Sequence, residues 1–249
     1  MISYFEFNGK KSTDFGIKIF NELEFTPPTK RYERVEVQGR DGDLFIDLES
    51  RANIEKTIKF QVEVDGKPKD GSDGSLMFKR ALDISKWLGV KGFYDFKYSM
   101  YPGFTYKAMI QDPYNLADTV RKKGIGIIKV IFEPVMYYDG YDEKKAISGA
   151  SIDNIGSIVS KPKIRLIPSS SEFTITNNGV NWLRLTKLNL GEEIIIDSEL
   201  GKAYTRTSNA NNNMLVNDPL FPLLYVGKNQ LSFTGAQVYI TPRFGEEAI

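Results

Sequence analysis

The residues that could do chemistry in this chain are carboxylates in close sequence. Glu192 with Glu193, and Asp197 with Glu199, are pairs of the kind a glycoside hydrolase uses, one as acid and the other as nucleophile or base. Nothing in their spacing selects one pair, because 32 acidic residues scatter such pairs through the whole chain. Asp65 to Ser75 has the aspartates and glycines of a calcium loop, but Lys67 and Lys69 stand where oxygen ligands are needed. Asp70 also takes the position where that loop requires glycine, so a solvated loop leading into a helix is the better account. Lys123-Gly124-Ile125-Gly126-Ile127 lacks the third glycine and the strand-turn-helix setting of a dinucleotide fingerprint, and reads as the start of a strand.

Histidine and cysteine are both absent. Without them there is no Ser-His-Asp or Cys-His nucleophile, no His-based zinc site, no thiolate and no disulfide framework. Any enzyme here would have to work with carboxylates, Lys or Tyr. The expectation is therefore of a chain that is not an enzyme, with no catalytic residue, metal or cofactor assigned.

Trp182 is the remaining residue of chemical interest. On Trp182-Leu183-Arg184-Leu185-Thr186 the two leucines share one face, so alternation places Trp182 with Arg184 and Thr186 on the other. A tryptophan set among polar side chains can stack on a sugar ring, anchor a protein partner, or cover a sheet edge or domain junction. Trp182 and Arg184 are thus candidate contacts for a partner of an outer domain or for a sugar.

The elements that must position these residues are mostly strands. One stretch, Leu76 to Leu88, has helical period: Met77, Ala81, Ile84 and Leu88 form a stripe, with Phe78 and Leu82 beside it. Ser75 or Asp73 is offered as its N-cap and Gly89 as a left-handed C-cap. A lone amphipathic helix has to lie across a sheet. Before it, Ile2 to Phe7 leads to the hairpin signal Asn8-Gly9, with the return strand through Phe15 to Ile19.

A second hairpin follows Pro27-Pro28. Val35 and Val37 alternate with charges, Asp41-Gly42 supplies the turn, and Leu44, Ile46 and Leu48 alternate with Phe45 and Asp47. The aliphatic face is expected to look inward, leaving Phe45 exposed among charges as a contact surface. Lys56 to Val64, Gly92 to Tyr98, Phe104 to Gln111 and Gly124 to Glu133 read as further strands, the last dense enough in isoleucine to be buried on both faces.

From Pro134 the chain turns polar and loses its period. The expected organisation is a domain over 1–138 with helix 76–88, a linker over 139–154, and a second domain over 155–249. The second is a succession of short strands with turns at Asn178-Gly179 and Asp197 to Gly201, the pattern of a sandwich. The fold class is mostly β with one packed α-helix.

The 249 residues, 41% apolar and 26% charged, are enough for two ordinary domains with real cores. No apolar run approaches the ~20 residues of a membrane span, and Met1 to Glu6 does not resemble a secretory signal. A net charge of +1 gives no bulk attraction to nucleic acid, and Lys30-Arg31 and Arg121-Lys122-Lys123 read as solvated turns.

Several stretches together resemble the distal tail proteins (Dit) of long-tailed, non-contractile phages. Phe5-Glu6-Phe7-Asn8-Gly9 followed by Ser12-Thr13-Asp14-Phe15-Gly16-Ile17 is similar to that family's opening hairpin. Gly39-Arg40-Asp41-Gly42-Asp43-Leu44 is similar to its Gly-Arg-Asp-Gly turn, with Gln38 where a proline often stands. Ser160-Lys161-Pro162-Lys163-Ile164, Ile196-Asp197-Ser198-Glu199, Phe221-Pro222 and Gly227-Lys228-Asn229 resemble its C-terminal domain.

The resemblance implies a structural hub: a homo-hexameric ring joining the end of the tail tube to the tail tip or baseplate. It implies an N-terminal ring-forming domain, a sandwich or barrel-like belt around a channel, and a C-terminal galectin-like β-sandwich that projects outward. Its implied partners are tail tube protein, tail tip protein, and receptor-binding or baseplate proteins, in a virion assembled in the bacterial cytoplasm. It implies no sequence-specific nucleic acid and no membrane insertion. Gly39, Arg40, Asp41, Gly42, Asp43 and Phe45 are the expected ring contact. The alternative is a module recognising cell-wall saccharide through Trp182, Tyr204 or Tyr225, and a carboxylate glycosidase on Asp197 and Glu199 stands third.

Overall fold

The computed structural model describes residues 3–20, 26–64, 74–111, 115–118, 123–210, 214–216 and 221–249. The acidic loop at 65–73, with the expected cap Asp73, and the basic pair Arg121-Lys122 lie outside them. The chain divides into two compact units, Met1–Met136 with Glu247–Ile249, and Tyr137–Glu246.

The first unit is built from β1 (Phe5–Phe7), β2 (Lys10–Lys11), a 3-10 turn (Ser12–Phe15), β3 (Ile17–Ile19), β4 (Lys30–Val35), β5 (Leu44–Arg51) and β6 (Ile54–Glu63). Helix α1 (Gly74–Leu88) follows, then β7 (Tyr94–Tyr98), β8 (Phe104–Ile110), β9 (Asn115–Asp118) and β10 (Lys123–Tyr138). The main sheet runs β2-β1-β7-β8-β10-β6-β3, with β9 also on β10, while among the described residues β4 and β5 pair only with each other.

Asn8 and Gly9 take φ of 50° and 71°, the two positive values a two-residue hairpin of this type requires. The return strand is Lys10–Lys11 rather than Phe15 to Ile19. Those residues instead make the 3-10 turn and then β3, which pairs with β6. The last residues come back to this unit, where the Ala248 N–H donates to Pro134 O at 2.9 Å.

The core of the first unit is aromatic. Phe5, Phe7, Phe60, Phe96 and Phe132 are fully buried, and Trp87 of α1 stacks flat on Phe15 with centroids 4.4 Å apart. The Trp87 indole N–H donates to Phe7 O at 2.8 Å, which satisfies the ring's one polar group inside the core. Met77, Ile84 and Leu88 are buried with it, but Phe78 and Leu82 are exposed. Successive helix residues are rotated by about 100°, so only an arc centred between Met77 and Trp87 faces the sheet.

The helix already begins at Gly74, which puts Ser75 inside its first turn. Gly89 is not left-handed: its N–H continues the helical pattern to Ser85 O at 2.8 Å. In β10 the even residues Ile128, Val130 and Phe132 are buried, whereas Ile125 and Ile127 are exposed, so this strand is covered on one face rather than both. Gly126 is required there, because a Cβ would collide with the ring of Phe60 on the paired strand.

The second unit contains β11 (Lys144–Lys145), β12 (Ser151–Asn154), β13 (Lys163–Pro168), β14 (Phe173–Asn177), β15 (Val180–Leu185), β16 (Ile194–Asp197), β17 (Lys202–Thr205), β18 (Met214–Val216), β19 (Gly227–Thr234) and β20 (Ala236–Thr241); β21 (Gly245–Glu247) follows and pairs with β10. Two five-stranded sheets form, β11-β20-β13-β16-β17 and β12-β19-β14-β15-β18. Ile164, Leu166, Ile196 and Ile240 of the first meet Phe173, Ile175, Leu183 and Leu231 of the second in one apolar cluster, the packing of a sandwich. The stretch expected to be a linker, 139–154, supplies β11 and β12, an edge strand of each sheet. Phe221 to Val226 is not a strand and touches the fold through an isolated bridge between Leu224 and Ser160.

Candidate functional site

The hairpin β4–β5 forms a two-stranded sheet of its own. Register pairs Val35 with Leu44 and Glu33 with Ile46, so these four share one face; Arg34 with Phe45 and Tyr32 with Asp47 share the other. The first face is mainly aliphatic and the second carries an aromatic pair among charges. Phe45 is 62% exposed and Tyr32 49%, with their rings edge to face at 6.4 Å.

Leu44, Ile46 and Leu48 were expected to look into a core, and they do not. All three are exposed, and no residue of β4 or β5 joins the buried cluster of the first unit. The alternating pattern is present, but nothing among the described residues covers either face. A two-stranded hairpin by itself is marginally stable at best in water. Apolar side chains are thus exposed on both of its sides.

The tip is built by backbone chemistry. The Arg40 N–H donates to Val37 O at 3.1 Å, and Gly39 takes φ 82° at the third position of that turn, which L side chains disfavour. The tight turn is thus Gln38-Gly39 rather than Asp41-Gly42; Gly42, with φ 79°, bends the chain into β5. Arg34 forms an ion pair with Asp43 across the strands just below. Gly39, Arg40, Asp41, Gly42 and Phe45 are exposed, and Asp43 is half-buried.

At the base the pairing slips between Lys30 and Tyr32, leaving a bulge in β5 around Leu48 to Ser50. Glu49 takes φ 51° there, and its N–H is held by Asp47 Oδ1 at 2.8 Å. Arg51 forms an ion pair with Glu247 and the Ala52 N–H reaches Thr29 O at 2.8 Å, fastening the hairpin to the unit. Tyr32 and the bulge were not singled out from sequence; Tyr32 could have been found as the aromatic diagonal to Phe45 across the strands.

The second candidate site is not assembled. Trp182 is only 6% exposed, buried in the sandwich beside Leu183. The cause is a bulge: Ile175 pairs with Leu183 and Thr176 with Asn181, so Trp182 is an extra residue and strict alternation fails there. Arg184 remains exposed and forms an ion pair with Glu172 at 2.8 Å. No sugar can stack on a buried indole, and Trp182 and Arg184 do not form one surface.

The carboxylates are committed to structure. Asp197, nearly inaccessible, receives Arg243 Nη1 at 2.7 Å and Nη2 at 2.9 Å, and its Oδ1 accepts the backbone N–H groups of Glu199 and Leu200. Burial pushes its pKa up, but the guanidinium and the backbone donors outweigh that and hold the carboxyl below its ordinary range. Glu199 lies 3.2 Å from the same Arg243 and accepts from the Tyr137 hydroxyl at 3.1 Å. Glu193 pairs with Arg165 at 3.2 Å and Glu192 accepts from Asn189 at 2.7 Å. Among the described residues no group of acidic side chains is arranged to hold a metal ion.

No family profile and no curated protein matches the chain. Among solved structures it superposes on the crystal structure of the SPP1 Dit (gp 19.1) protein, described as a paradigm of the hub adsorption apparatus in phages infecting Gram-positive bacteria. The TM-score is 0.74 at 15% sequence identity, over 100% of both chains. This chain has the Dit fold. The likeness spans the whole length of both chains.

Proposed function

We propose that this chain is the hub subunit of a phage tail: six copies close a ring at the distal end of the tail tube, joining it to the tip or baseplate. The hairpin open on both faces carries this reading, and the full-length Dit fold supports it. A ring closed head to tail needs two unlike surfaces on each subunit. The β4–β5 hairpin, around Gly39 to Asp43 and Phe45, is one of them. A permanent ring contact buries more than the ~1,200 to 2,000 Å² of ordinary complexes, and a hairpin buried on two sides contributes area twice.

In this reading the function is geometric. The first unit forms the annulus, while the second unit, presented six times in a galectin-like arrangement, carries receptor-binding or baseplate proteins. Tube protein and tip protein meet the two ends of the ring, and the assembly belongs to the virion after forming in the host cytoplasm.

Negative-stain electron microscopy and mass measurement of the purified chain test it. Six-fold rings, single or stacked, are expected. A monomer at micromolar concentration with no ring in the images would remove the proposal.

A further inference from the structure

A cleft of about 330 Å³ opens in the second unit between the segment carrying β11 and β12 and the interior of the sandwich. Its floor is apolar and buried, formed by Leu231, Ile240 and Phe244. Tyr141 forms a wall, its ring edge to face on Phe244 at 5.0 Å. The rim is exposed and charged: Asp142 and Asp153 against Lys144 and Lys145, two of each sign. Among the described residues none of these four side chains makes a hydrogen bond or ion pair, unlike the neighbouring Glu143, which is held by Arg165 at 2.7 Å.

This combination selects a ligand class. Balanced charge at the rim favours neither an anion nor a cation, while two carboxylates and two ammonium groups offer acceptors and donors for hydroxyls. An aromatic wall suits the apolar face of a pyranose ring. The buried aliphatic floor goes beyond what a plain hexose could use, but it would accept a methyl group, whose burial is favourable. The volume falls in the range of small-ligand pockets and fits one or two sugar rings.

We propose that this cleft binds an N-acetylhexosamine oligosaccharide, with the acetamide methyl on the Leu231-Ile240 floor, the sugar ring against Tyr141, and hydroxyls on Asp142, Asp153 and Lys144. The site is independent of the hub reading, since it lies within one unit and can be occupied whether or not rings form.

Ligand-observed saturation-transfer NMR on the full chain, with N,N′-diacetylchitobiose as probe and cellobiose as comparator, tests it. Saturation strongest at the acetyl methyl is expected, with cellobiose at least about tenfold weaker because it lacks that methyl and its amide. The exposed double variant Asp142→Asn/Asp153→Asn should weaken chitobiose about tenfold at unchanged sedimentation. Ile147→Asp, 73% exposed at the lip, should weaken it without touching the core. Three results would each overturn the proposal: no saturation at about 10 mM probe, equal binding of cellobiose, or unchanged binding by the double variant.

Discussion

Phe45 meets Tyr32 edge to face, centroids 6.4 Å apart, on a hairpin face that water reaches from outside. An exposed aromatic pair of this kind contributes only about 0.5 to 1.5 kcal/mol to the folded subunit. Phe45→Asp is therefore expected to change the melting temperature by a few degrees at most and yet to abolish ring formation. Sedimentation velocity reads the second and calorimetry the first. A variant that still forms rings would show that this face lies outside the contact.

Trp182 is buried with its indole N–H unpartnered among the described groups. Trp182→Ala should cost about 3 to 5 kcal/mol through cavity formation. Trp182→Phe removes the unsatisfied donor and should cost much less than the aromatic area alone suggests. Urea denaturation of the two variants separates these cases; equal losses would mean that the N–H has a partner in solution.

The Asp197–Arg243 pair makes acid sensitivity specific. The folded carboxyl titrates below its ordinary value of 3.8, so the stability it contributes is present above that value and is lost as pH falls through the folded pKa. As pH falls below that ordinary value the wild type should therefore lose stability more steeply than Asp197→Asn, which has no carboxyl to protonate. Arg243→Met leaves a buried charge uncompensated and should cost about 3 to 5 kcal/mol at neutral pH. Parallel acid titrations of wild type and Asp197→Asn would contradict this account.

Gly126 lies against the buried ring of Phe60 on the neighbouring strand. Gly126→Ala should destabilise the first unit by about 1 to 3 kcal/mol through overpacking. Phe60→Leu costs a comparable amount by itself, but the double variant should lose less than the sum, because the smaller side chain frees the space that the new methyl needs. Additive losses would mean that the backbone yields instead of the ring.

Much of the local structure was legible in residue order. Asn8-Gly9 specified a hairpin because both residues tolerate positive φ. Met77, Ile84 and Leu88 specified the helix and its buried side, and the alternation of Ile58, Phe60 and Val62 specified β6. The hydrophobic pattern of the second unit likewise announced a run of short strands. The site was legible only in part: Gly39 to Phe45 stood out as an exposed turn, whereas Tyr32 and the bulge at Glu49 did not.

The misreadings share a cause. Leu44, Ile46 and Leu48 alternate like a core strand, yet they face outward, because alternation reports which side chains share a face and not what lies opposite it. Trp182 points inward because one extra residue in β15 shifts the pleat, a property of the pairing with β14. Phe78 and Leu82 look apolar enough to be buried, but the sheet covers only one arc of the helix. Residue order by itself determined the helix, most of the strands, the Asn8-Gly9 turn and the exclusion of histidine and cysteine chemistry, since these depend on composition and on neighbours along the chain. Which faces are covered, where the bulges fall and that Asp197 serves Arg243 were decided only in three dimensions, because burial and pairing join residues far apart in sequence.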